Sequence, residues 1–150
     1  MITGKRINFY PFYTAMKAKF LNLLLIISSL FGYLEWGAGN KTFLFEGEYE
    51  VLSKLFTDPK SVVHPFTLLP LLGQILLLLT LFQKNPSKTM TYVGIACLGV
   101  LLGLMFFIGI MALNFKILIS TLPFLLISFY TIMYWRVTSA LSTPERKNKV

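Results

Sequence analysis

Between Met90 and Leu113 the chain runs for more than twenty residues without a charge. Few structures admit such a stretch. A helix of that length covers roughly 30 Å, the depth of a bilayer's hydrocarbon core, and satisfies its backbone polar groups internally. Three further apolar runs accompany it, at about 20–36, 66–83 and 117–135. None shows the strict alternation of a membrane barrel strand. Of the 150 residues, 55% are hydrophobic and 13% charged, whereas charged residues make up about a quarter of an ordinary globular chain. One small soluble core cannot hide that much apolar surface, but lipid can solvate it. The expected fold is therefore an all-α integral membrane protein, a bundle of four transmembrane helices.

Charge gives the expected orientation. Ten of the 14 lysines and arginines fall in the N-terminal segment, the connector at Lys84–Lys88 and the C-terminal tail. Only Lys41, Lys54, Lys60 and Lys116 fall on the opposite side. That asymmetry follows the positive-inside rule and places both termini in the cytoplasm. It also accounts for the net charge of +8 without a nucleic-acid partner. Residues 1–19 then form a cytoplasmic anchor, 20–135 the membrane domain and 136–150 a basic cytoplasmic tail. The first apolar run is not read as a signal peptide, because its leader is long and no small-residue cleavage pattern follows. A composition rich in Phe, Ile, Leu and Lys suits a bacterial cytoplasmic (inner) membrane.

One long polar interruption remains, the external loop at about 37–65. With its flanks it holds five of the six acidic residues (Glu35, Glu46, Glu48, Glu50 and Asp58) and the sole histidine, His64. Gly37 to Asn40 reads as a turn. Phe45, Tyr49, Leu52 and Phe56 then recur at helical spacing, with Glu46, Glu50 and Lys54 on another face. That pattern predicts a short amphipathic helix ended by Asp58-Pro59, lying across the ends of the spans. Its polar face is acidic, unlike the lysine-rich face of a helix drawn to anionic lipid. Phe45, Glu46, Tyr49 and Glu50 are accordingly the candidate docking residues for a partner protein.

The residue inventory excludes most catalysts. One histidine and one cysteine, Cys97, leave no metal or cofactor motif, and no metal or cofactor is expected. Neither a phosphate loop nor a nucleophile elbow is present. The surviving candidate polar site joins Glu35 at the end of span one, His64 at the start of span two and Gln74 within it, with the Glu46, Glu48 and Glu50 group of the loop beside them. A carboxylate beside an imidazole would carry protons or hold a cation. Gly99 and Gly103 form a GxxxG pattern that predicts close helix packing. The expected partners are the bilayer and other membrane subunits, or a second copy of the chain. The expected function is a non-catalytic accessory subunit of a larger membrane complex. The alternatives are a small channel or transporter with Glu35 and His64 at its outer mouth, and then a membrane enzyme acting on a lipid or quinone.

Overall fold

The apolar runs fold as helices. The computed structural model describes residues 10–36, 39–62 and 65–141. Among these, α1 spans Tyr10–Leu30, α2 Leu44–Thr57, α3 Pro59–Val62, α4 Pro65–Phe82, α5 Lys88–Met111 and α6 Phe115–Leu141. Helices α4, α5 and α6 follow one another antiparallel, and α1 closes the ring by packing on α4 and α6. Two of them, α5 over Lys88–Met111 and α6 over Phe115–Ala140, are long and apolar enough to cross a membrane. Only 33% and 28% of their most apolar windows are buried within the chain. Phe107, Leu126 and Phe129 point outward instead, the reverse of a soluble core helix.

The first apolar run departs from the expected span. Helix α1 stops at Leu30, and the chain turns into a two-stranded antiparallel hairpin, β1 (Tyr33–Trp36) and β2 (Asn40–Phe43). The fold is thus not wholly helical. Gly32 lies at the turn, close against α5, where a Cβ would stand 2.8 Å from Leu102 Cδ2. Its carbonyl accepts the Leu44 amide at 2.7 Å and so ties the hairpin to the start of α2. Ser120 of α6 accepts the Tyr33 amide at 3.0 Å, and Asn114 Nδ2 donates to Glu35 at 2.9 Å. These bonds hold the hairpin over one end of the bundle, here the cap end. The other end, here the terminal end, carries the start of α1 and the end of α6. There the Lys17 ammonium lies over the Tyr130 and Tyr134 rings at 5.8 and 5.1 Å, and the Tyr134 hydroxyl donates to the Thr14 carbonyl.

The interior is layered. Near the terminal end, Asn22 of α1 donates to Thr80 of α4 at 2.7 Å and to Thr91 of α5 at 2.9 Å. All three side chains are fully buried. The next layer is apolar, with Leu25, Leu77 and Leu98 equally inaccessible. A second polar group then follows at the cap end, around Ser29 and Gln74. The Asn22 node makes a specific prediction. Thr80 and Thr91 also donate their hydroxyl hydrogens to the Leu77 and Ser87 carbonyls, so losing Asn22 strands no donor. Interhelical hydrogen bonds of this kind contribute about 1 kcal/mol. Asn22→Leu, which keeps the branched shape, should cost no more than about 1 kcal/mol in detergent unfolding. Asn22→Ala, which opens a cavity, should cost about 2 kcal/mol. A larger loss for leucine than for alanine would overturn this reading of the node.

Close helix approach does not use the expected glycines. Inside the chain, Gly99 and Gly103 face open space. Helices α4 and α5 meet instead at Gly73 and Gly94, where added Cβ atoms would lie 3.0 and 3.1 Å from the opposing carbonyl oxygens.

Candidate functional site

Helix α2 begins on a local device. Glu46, three residues after Phe43, reaches back to accept the Phe43 amide at 3.0 Å and the Thr42 hydroxyl at 2.9 Å. This reverse half of a capping box satisfies a free helix-end donor, and both bonds hold the Glu46 carboxyl below the usual carboxylate range. At the other end, the Asp58 amide donates to the Lys54 carbonyl at 2.7 Å, and Pro59 opens the short α3.

The face that α2 turns inward is unexpected. Leu44, Glu48 and Val51 are buried, and Leu55 continues their line half-exposed. The aromatic stripe points away, with Tyr49 at 74% and Phe56 at 87% exposure, flanked by exposed Phe45 and Leu52. Glu48 is therefore a carboxyl group laid over the cap end of the bundle, with 8% of its surface accessible. Burial pushes its pKa up to about 7, against the opposing pull of a hydrogen bond from Gln74. Desolvation disfavours the charged form, and a single amide donor offsets only part of that. Its Oε1 meets no hydrogen-bonding group. Gln74 also donates to Ser29 Oγ at 3.1 Å, and Ser29 passes its own hydrogen to the Ile26 carbonyl at 2.8 Å. Glu48, Gln74 and Ser29 thus join α2, α4 and α1 through one short polar chain. Near neutral pH the carboxyl is balanced between its two protonation states, so it can take up or release a proton at this spot.

The expected polar site is only partly assembled. Gln74 stands in the polar chain just described. Glu35 lies apart, exposed on β1, opposite Lys41 in the hairpin register and bonded to Asn114. His64 falls outside the described residues. The acids of the loop separate by role: Glu46 caps α2, Glu50 pairs with Lys54 on the exposed side, and Glu48 is buried. Among the described residues no three His, Cys, Asp or Glu side chains gather as a metal site.

Sequence reasoning includes Glu48 only as one of three loop acids and does not single it out as the buried one. The stripe Leu44, Glu48, Val51 and Leu55 has the same spacing as Phe45, Tyr49, Leu52 and Phe56, displaced by one residue. One acid in it made the aromatic stripe look like the better inward face. No protein-family model matches the chain, and no similar curated protein or solved structure was found.

Proposed function

We propose that this chain is a non-catalytic accessory subunit of a larger membrane assembly. In this reading α1, α4, α5 and α6 all span the bilayer, with the terminal end in the cytoplasm and α2 as a cap on the outer face. One observation carries the proposal: α2 buries a carboxyl group against the bundle while leaving Phe45, Tyr49, Leu52 and Phe56 uncovered. An isolated helix would gain by the opposite rotation. A contiguous aromatic stripe beside an acidic edge is the composition of a protein-binding surface, where buried aromatic anchors dominate the energy. The same acidic edge disfavours anionic lipid as its cover.

A through-path for ions or solutes has less support. The apolar layer of Leu25, Leu77 and Leu98 separates the Glu48 group from the Asn22 group, and no charge lies between them. Coupled transporters ordinarily place ionisable or broken-helix elements at that depth.

The test truncates the stripe without touching the cap. Charge reversal at Glu46 is unsuitable, because Glu46 closes the start of α2. Tyr49→Ser with Phe56→Ser removes two exposed rings and spares the bundle. The tagged wild-type chain, extracted in mild detergent, should retain a stoichiometric membrane protein. The double variant should bind it at least tenfold more weakly, on the roughly 2 kcal/mol scale of interface aromatics, with unchanged thermal unfolding. Undiminished retention by the variant would remove α2 as the docking surface.

A further inference from the structure

A groove of about 650 Å³ lies between the hairpin and α6, and Glu48 is not part of its lining. Its chemistry is divided. Tyr33 and Phe43, whose rings meet edge to face at 5.5 Å, supply aromatic surface, and exposed Ile119 of α6 continues it along the flank of the bundle. Lys41 of β2 and Lys116 of α6 supply two ammonium groups, brought together from 75 residues apart in the chain (116 − 41). Lys116 lies in the first turn of α6, where the helix dipole adds positive potential.

We propose that this groove binds the headgroup of one anionic phospholipid, its phosphate between Lys41 and Lys116 and its acyl chains along Ile119. The proposal rests on the reading of the bundle as membrane-embedded. Charge complementarity selects the occupant. Four lysines lie at the cap end, and Lys54 is already paired with Glu50. Two of the remaining three converge on one groove whose wall continues onto an apolar helix flank. The one acid of the lining, Glu46, is fixed by the Phe43 amide and the Thr42 hydroxyl and stays ionised, so the groove carries one net positive charge, two lysines less one carboxylate. Glu35, across the hairpin from Lys41, is held by Asn114 and is not part of the lining. A neutral lipid would leave that excess positive charge facing a headgroup that carries its own ammonium. A phosphatidylglycerol headgroup offers only the phosphate charge and hydroxyls, which those donors can bind.

The experiment reconstitutes the full chain into vesicles of equal phosphatidylcholine and phosphatidylglycerol, floats them, and extracts the protein gently. Mass spectrometry then measures the lipid that stays bound. Wild type should float and retain phosphatidylglycerol over phosphatidylcholine by about tenfold, the scale of two lysines at a membrane surface. Lys41→Gln with Lys116→Gln should float equally and lose that preference, whereas Lys54→Gln with Lys60→Gln should keep it. A wild-type protein that floats but shows no headgroup preference overturns the lipid site, as does a preference that survives loss of Lys41 and Lys116. Protein that does not float overturns the membrane reading itself.

Discussion

Replacing Glu48 by glutamine should flatten the pH dependence of thermal stability and make the protein more stable than wild type above pH 7. The carboxyl is pushed from 4.5 to about 7 in the folded chain. Below pH 4.5 it is protonated whether the chain is folded or not, and it costs nothing. Between 4.5 and about 7 the unfolded chain releases the proton while the folded chain keeps it, so stability falls as pH rises. Above about 7 both states are ionised and the loss is complete. Discounted for water near the cap end, that loss is about 2 kcal/mol. Glutamine occupies nearly the same volume, can still accept from Gln74, and cannot ionise. Thermal unfolding in mild detergent from pH 5 to 8 should therefore show a falling midpoint for wild type and a much flatter one for Glu48→Gln. Parallel curves would mean that Glu48 is not buried under α2. Asp58 and Glu50, exposed on the same loop, are the controls and should leave the wild-type slope in place when changed to amides.

The second large effect lies where α4 and α5 touch. A Cβ at Gly94 would stand 2.8 Å from Leu77 Cγ and 3.1 Å from the Gly73 carbonyl. A Cβ at Gly73 would stand 3.0 Å from the Gly94 carbonyl, from Cys97 Cβ and from Leu98 Cγ. A side chain can rotate away from such a contact, but a helix carbonyl moves only with its helix. Gly94→Val or Gly73→Val should therefore force the two helices apart and cost about 3 kcal/mol or more, the upper range for overpacking. At Gly99 and Gly103 an added Cβ meets nothing within 4 Å, so Gly99→Val and Gly103→Val should change the unfolding midpoint of the isolated chain little. If all four variants were equally destabilised, the Gly73–Gly94 contact would not be the seam between these helices.

Those glycines also show what a single sequence conceals. GxxxG is visible as a pattern because its members share one helix. Gly73 and Gly94 sit on different helices, and nothing in the string pairs them until the antiparallel register of α4 and α5 is known. The long apolar helices α5 and α6 were legible because length and hydropathy are local properties. Gln74 stood out as the lone amide in an apolar run, and such a group needs a partner. Glu48 was hidden by a competing periodicity: two overlapping stripes fit the same helix, and the aromatic one has the larger apolar surface. Only the packing of α2 on the bundle reveals which stripe is covered. The hairpin was masked in a different way, since Tyr33, Leu34 and Trp36 extend the first apolar run and Glu35 among them reads as an acid at a helix end. The short reach from Gly32 to Leu44, closed by one backbone bond, turns that stretch into a strand.

The uncovered face of α2 is best tested in the native membrane, by placing a photo-reactive side chain at Tyr49 and, separately, at Leu126 on the exposed apolar flank of α6. Illumination at position 49 should yield one discrete adduct with another membrane protein, and position 126 should yield lipid adducts only. Lipid adducts alone at both positions would contradict the accessory-subunit proposal and return the aromatic stripe to the bilayer surface.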